Sequence, residues 1–332
     1  MGDRVVFKQV WPNIYRIEIP LPRNPLRFTN SYYIRGIQRS LLVDNGFNCD
    51  ESRAVMDEAI CALGIDLAKT DLFITHLHAD HSGMTEYLAS PTSRVFMSYE
   101  DGMAVLASQN INYWDRFNDF MKLSGLIKVG IENNTERHPG RMYGTAHFKN
   151  LVPVGEMDRI VVGDYSFQCI MTPGHTDGHV CLYEPSHHLL LSGDTILGKI
   201  TPNISLWEIG KTDVLGQYLQ SLAKIGRLAV DVVLPGHRHI IYDCRERIQQ
   251  LEVHHQKRLD EVLGLLGSGS ANATDIAKKM NWDLSIKEWE GFPWAQKLFS
   301  TGEALAHLNN LYQRGQILAT KGNDGIYYFT RI

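Results

Sequence analysis

Short apolar runs closed by polar turns dominate the first two thirds of the chain. Val5 to Val10, Ile14 to Ile19, Ser31 to Arg35 and Leu41 to Asp44 read as strands. Ser52 to Leu63 switches to helical spacing, and Asp71 to Thr75 returns to a buried strand. That strand runs straight into His76-Leu77-His78-Ala79-Asp80-His81. Strands and helix followed by a polar cluster at a strand's C-terminal end is the logic of an α/β protein, where ligand sites gather at such ends. The pattern then recurs. Phe167 to Met171 leads into Thr172-Pro173-Gly174-His175, His188 to Leu191 into Ser192-Gly193-Asp194, and Val230 to Leu234 into Pro235-Gly236-His237. In each, a glycine turn lets a polar side chain project from the strand end.

Two stretches break this rhythm. Residues 99–147 hold Tyr99, Tyr113, Trp114, Phe117, Phe120, Met121 and Tyr143 in helix-like spacing and are expected to be a helical insertion. Its aromatics either pack it down or wall a substrate pocket. From about residue 244 the pattern is helical again: Arg245 to Leu266, Ala273 to Met280 and Thr301 to Arg314. A strand pair follows, Ile317 to Thr320 and Gly325 to Phe329, and helices ending in a small hairpin suggest a winged helix. The expected division is therefore a catalytic domain over 1–243 and a winged-helix-like domain over 244–332.

Composition narrows the class. With 44% hydrophobic and 21% charged residues, the 332-residue chain has enough apolar surface for a large core and a small second one. A net charge of −4 offers no basic field for nucleic acid. Residues 249–332 carry nine Lys/Arg against nine Asp/Glu, so the tail lacks the basic face of a nucleic-acid reader. The start, Met1-Gly2-Asp3-Arg4-Val5-Val6, has no apolar run of signal-peptide type, and no stretch approaches a membrane span. Five scattered cysteines, never in a C-x-x-C pair, fit free thiols in a reducing cytoplasm.

The chemistry lies in the histidines and aspartates at the strand ends. Imidazole and carboxylate together suit zinc and comparable divalent metals, and a catalytic site keeps a position open for water. Seven polar residues recurring at strand ends are hard to read as ordinary hydrogen-bonding groups. The other histidines are not promoted: His187, His188, His254 and His255 read as solvated, His179 as ordering the turn after His175, and His239 as a neighbour of substrate or ligand.

These motifs, with Asp44 in Leu-Val-Asp-Asn-Gly, the Thr75–His81 run, His175, Asp194 and His237, resemble those of the metallo-β-lactamase-fold hydrolases, including the glyoxalase II-like members. The resemblance covers residues 1 to about 243, and the tail resembles the winged-helix domain that often follows this fold. It implies an αββα sandwich with two metal ions at one edge. His76, His78 and His175 would hold the first ion, Asp80, His81 and His237 the second, and Asp194 would bridge them. Asp44 would orient the histidine loop. Two such ions lower the pKa of a bridging water from about 15.7 towards roughly 7, and the resulting hydroxide would attack a carbonyl or phosphoryl centre. Asp80 and Asp194 are the expected catalytic carboxylates. Zinc is the first expectation, with iron and manganese accepted by the same donors.

Departures from subfamily patterns choose among substrates. The commonest zinc β-lactamases place cysteine where Asp194 stands, and lactonases of acyl-homoserine type place tyrosine where Leu197 stands. Glyoxalase II-type thioesterases share all seven ligands, although their glutathione-binding helices are not recognisable here. The expected reaction is hydrolysis of a thioester or other small acyl ester in the cytoplasm, with no membrane or nucleic-acid partner and with a homodimer left open. The alternatives are a nuclease or phosphodiesterase, a lactonase, and, last, a nucleic-acid-binding regulator with a structural metal.

Overall fold

A computed structural model of the chain describes residues 6–132, 134–145, 147, 150–210, 212–283, 286 and 288–332. The opening residues 1–5, read above for targeting signals, lie outside these. The chain divides into two compact units. The first comprises Met1–Gln109, Pro139–Pro202 and Ser221–Arg247; the second comprises Asn110–His138, Asn203–Gln220 and Ile248–Ile332.

Two sheets build the first unit. The larger has seven strands in sequential order: β1 (Phe7–Trp11), β2 (Ile14–Pro20), β3 (Phe28–Ile34), β4 (Ser40–Val43), β5 (Thr70–Phe73), β6 (Val95–Ser98) and β7 (Leu151–Val154). The first four pair antiparallel; β4 to β7 pair parallel. The smaller sheet contains β8 (Arg159–Val162), β9 (Tyr165–Met171), β10 (Val180–Glu184), β11 (Leu189–Gly193) and β12 (Val232–Pro235), in the order β12-β11-β10-β9-β8. Only β11 and β12 are parallel within it.

The period-two alternation of strands sorts the side chains. Tyr32, Ile34, Leu41, Val43 and Phe73 face Phe167, Cys169, Leu182, Leu189 and Leu234 of the other sheet. Their neighbours Tyr33, Leu42, Leu72 and Ile74 point the opposite way, against Met56 and Ala59 of the helix Asp50–Leu63. The smaller sheet is tied to the last turns of the helix Val214–Ile225, where Ser221 Oγ donates to Pro173 O and Lys224 Nζ to Met171 O. The layering is αββα, as expected.

Asp71 staples three parallel strands at their starting ends. Arg39, just before β4, and Arg94, just before β6, both donate to its carboxylate, at 2.7 and 2.6 Å. This fixes the register Leu41–Asp71 and Leu72–Val95, and so the height at which the opposite strand ends emerge.

In the second unit, β13 (Ser270–Ala271), β14 (Ile317–Lys321) and β15 (Tyr327–Arg331) form an antiparallel sheet in the order β13-β15-β14. The helices Ala273–Lys279 and Trp294–Gln313 precede the hairpin. The latter starts seven residues before the expected Thr301, directly after Pro293. The insertion's aromatics pack among themselves and with their own unit: Trp207 meets Phe117, Phe120 and Phe299 at ring separations of 5.1, 5.0 and 6.1 Å. Asn203 Nδ2 donates to Glu303 Oε2 at 3.0 Å. Among the described residues no helix is long and apolar enough to cross a membrane.

Candidate metal centre

All seven residues singled out in the sequence meet at the ends of strands from both sheets of the first unit. Asp44 follows β4 and His76 follows β5, its parallel neighbour. Asp194 follows β11 and His237 follows β12, a second parallel pair, joined beyond its end by Gly236 N–H donating to Gly193 O at 2.8 Å. His175 follows β9. The loop of His78, Asp80 and His81 turns into the short helix Ala79–Ser82.

Two glycines make room for this convergence. A Cβ on Gly236 would lie 2.6 Å from both Asp194 Oδ1 and His81 Cε1. Gly193 has φ +47, and a Cβ there would meet His179 Nε2 at 2.6 Å and Thr75 Oγ1 at 2.7 Å. A side chain at Gly236 would displace Asp194 or His81 themselves, and one at Gly193 would displace His179 and Thr75, which lie behind Asp194 and His76.

Ring orientations are set by hydrogen bonds behind the ligands. Asp44, at φ +56, accepts from Thr75 N, Thr75 Oγ1 and His81 Nδ1 at 2.8, 2.9 and 2.7 Å. The Thr75 hydroxyl is thereby committed to Asp44, so it accepts from His76 Nδ1 at 3.0 Å. His237 Nδ1 donates to Phe28 O at 2.9 Å. In the neutral rings the Nε2 atoms of His76, His81 and His237 are therefore left as lone pairs facing inward.

What they face suits a cation. His81 Nε2 and His237 Nε2 lie 3.2 Å apart, and His76 Nε2 and His78 Nδ1 lie 3.1 Å apart. Asp80 Oδ2 is 3.3 Å from His237 Nε2. Asp194 reaches His81, His175 and His237 at 3.4, 3.6 and 3.5 Å. Three donor groups have their atoms within 4.8 Å of one another: His76, His78 and His175; His76, His81 and Asp194; and Asp80, His81 and His237. Nitrogen and carboxylate donors in such groups match divalent zinc, iron or manganese.

The electrostatics agree. Burial alone would lower His237, but Asp194 and Asp80 outweigh it and raise the ring to about 9. His81 is likewise raised despite its burial, by Asp194, Asp44 and Asp80. Burial would raise Asp80, yet His81 and His237 hold it at about 2. This half of the site draws positive charge. In the other half, burial and the neighbouring His175 push His78 down to about 3, and His76 is also held neutral. Neutral imidazoles are ligands, and a bound cation would take the place of the protons that Asp194 and Asp80 favour on His81 and His237.

Two residues in this setting were not legible as functional. His179 accepts the Asp194 backbone N–H through Nε2 at 3.0 Å, and its Nδ1 lies 2.8 Å from Thr172 Oγ1. It thus orders Asp194 as well as its own turn. Asp101, within the expected insertion, accepts from Leu77 N at 2.9 Å, Thr176 Oγ1 at 2.6 Å and Gly178 N at 2.9 Å. It joins the His76–His78 loop to the turn after His175. Burial pushes its carboxyl up to about 6, and those donors limit the rise.

Comparison with known proteins places this site in a family. The model described as metallo-beta-lactamase superfamily matches residues 24–237, and that described as metallo-beta-lactamase-like, C-terminal domain matches 290–332. A probable metallo-hydrolase of Bacillus subtilis (strain 168), YqjP, is 22% identical over 90% of this chain and 92% of its own length. The acyl-coenzyme A thioesterase MBLAC2 of Gallus gallus is 26% identical over 63% of this chain and 72% of its own. The crystal structure of the metallo-beta-lactamase family protein TTHA1429 from Thermus thermophilus superposes with a TM-score of 0.79 at 27% identity, covering 98% of this chain and 100% of that one. The chain belongs to the metallo-beta-lactamase superfamily.

Proposed function

We propose that the chain hydrolyses a thioester of a small acyl group, using two divalent ions. His76, His78 and His175 would hold one, Asp80, His81 and His237 would hold the other, and Asp194 would serve both. The observation that carries this reading is the reach of Asp194 to histidines of both groups, within 3.4–3.6 Å. Zinc is the first choice of ion. The similarity to an acyl-coenzyme A thioesterase supports a thioester over a lactam or lactone. In this reading residues 1–243 form the catalytic domain and 244–332 a winged-helix-like one, supported by the helices and three-stranded sheet beyond residue 244.

When bound, the ions supply Lewis acidity and bring the pKa of water from about 15.7 towards roughly 7. The residues supply the geometry. Asp44 holds His81 in one tautomer, Phe28 O does the same for His237, and His179 fixes the backbone of Asp194. Asp80 keeps 15% of its side chain exposed while His81 and His237 are sealed, so it is the carboxylate that meets incoming water. It orients that water by accepting a hydrogen bond from it. The water oxygen bonds to the acyl carbon, the C–S bond breaks with its electron pair on sulfur, and a proton from the water passes to sulfur to give the thiol.

Thiol release from coenzyme A and glutathione thioesters, by metal-loaded protein beside His78→Ala, tests the assignment. Turnover by the wild type and none by the variant supports it. Equal rates for both would overturn it.

A further inference from the structure

A cationic lip adjoins the metal centre, and nothing in the hydrolysis above uses it. The chain carries a net charge of −4, yet residues 19–31 and 232–242 contain Arg23, Arg27 and Arg238 and no Asp or Glu. The fold binds these two segments together. Asn30 N–H donates to Gly236 O at 2.7 Å, and Asn30 Nδ2 donates to Pro235 O at 2.8 Å and Arg238 O at 3.0 Å. Arg238 Nη2 donates to Pro25 O at 2.9 Å, between the other two arginines. The same pair of segments holds a ligand, because His237 Nδ1 donates to Phe28 O.

The loop carrying Arg23 and Arg27 is built rather than slack. Leu21 N–H donates to Arg27 O, Asn24 N–H to Leu21 O and Arg27 N–H to Asn24 O, at 2.8, 3.2 and 3.0 Å. Asn24 Oδ1 accepts from Leu26 N–H at 2.9 Å. All three arginines occupy the left-handed region, at φ 58, 72 and 66. That conformation is uncommon for a residue with a Cβ and gathers at functional sites. Among the described residues none of the three guanidiniums has a carboxylate within ion-pair distance. Arg23 and Arg27 are exposed, and Arg238 Nε is buried without a hydrogen-bond partner among the described residues. A buried charged donor left unsatisfied is costly unless a ligand meets it.

Guanidinium groups recognise phosphate through paired N–H donors, and a concentration of them beside a reacting centre draws anionic substrates. We propose that Arg23, Arg27 and Arg238 bind the phosphates of a thioester carried on coenzyme A, and so select a phosphorylated carrier over a neutral or glutathione-type one. This rests on the thioester reading and names its carrier. Arg27 adjoins Phe28 beside His237, and Arg23 lies further along the loop.

The test titrates coenzyme A and pantetheine, which lacks every phosphate, into metal-loaded wild type and into an Arg23→Gln, Arg27→Gln double variant. Both side chains are exposed, so the fold is preserved; Arg238 is left in place because it ties Pro25. The expected result is an advantage of about tenfold or more for coenzyme A in the wild type, weakened by salt and lost in the variant. Equal binding of the two ligands, or an advantage that survives in the variant, overturns the proposal. Displacement by a short single-stranded RNA but not by coenzyme A overturns it too, in favour of a nucleic-acid phosphate. Thiol release from the pantetheine thioester, followed in parallel, separates the two claims. Hydrolysis without a coenzyme A preference leaves the reaction standing and removes the lip. A coenzyme A preference with no thioester hydrolysed does the reverse.

Discussion

Asp44 accepts three hydrogen bonds on two oxygens, from Thr75 twice and from His81 once. An amide cannot replace it, because one of its two ends carries hydrogens and would face a donor. Asp44→Asn should therefore fold, since asparagine tolerates φ +56. It should lose about 10- to 100-fold in metal affinity or kcat/KM, the usual effect of removing a partner behind a ligand. Metal content after dialysis, with kcat/KM beside it, reads this out; unchanged values would show that His81 needs no such anchor. Gly193→Ala tests the room behind Asp194. With a Cβ 2.6 Å from His179 Nε2 at a positive φ, it should cost about 1–3 kcal/mol, seen as a lower Tm, and impair activity further by moving Asp194. At this scale the residues that meet at the strand ends were legible, because His76, His78, Asp80 and His81 share one run after an apolar strand and His175, Asp194 and His237 each follow an apolar run and a glycine turn. The sequence was a poor guide to Asp101 and His179. Asp101 reads as an ordinary acid in the first turn of a helix, and only the fold brings it to Leu77 and Thr176.

Among the elements, the parallel strands β4, β5 and β6 aim Asp44 and His76, and Asp71 sets their register from the far end. Burial would raise the Asp71 carboxyl, but hydrogen bonds from Arg39 and Arg94 outweigh it and hold it below its ordinary value. A carboxyl depressed in the folded chain contributes stability that is complete above its unfolded pKa, about 3.9, and is lost as pH falls through the lower folded value. Acid unfolding should therefore steepen below about pH 4 in the wild type, and Asp71→Asn should flatten that limb. At neutral pH the same variant should be about 1–3 kcal/mol less stable, measured by denaturant unfolding at several pH values. A variant that kept the wild-type acid limb would remove Asp71 from this account. Strands of this kind were only partly legible. β6 is buried on both faces, as Val95–Ser98, and so shows no alternation to distinguish it from its surroundings. β7, β8, β10 and the helix Val214–Ile225 were also unread. The helix Trp294–Gln313 reads only from Thr301 in the sequence because its first turns, with Trp294, Lys297 and Phe299, lack a clean apolar stripe. Pro293 was the available signal for its start.

For the whole molecule, the sheets, the helices and the ligand order were legible as a family pattern, and the match over residues 24–237 bears out that identification. The grouping of residues 110–138 and 203–220 with 248–332 was not legible, since a reading along the chain sees only contiguous segments. The proposed carrier site was hidden for a related reason. Arg23 and Arg238 lie far apart in sequence, and only the hydrogen bonds of Asn30 and Pro25 make them neighbours. In the proposed mechanism one carboxylate, Asp194, unites two histidine groups into a two-ion hydrolytic centre. Stepwise titration of metal-free protein with zinc, following thiol release from an acyl-coenzyme A thioester, tests it most directly. The expected rate rises until two equivalents are bound and is absent from Asp194→Ala at any loading. A plateau at one equivalent, or full turnover by the metal-free chain, would contradict it.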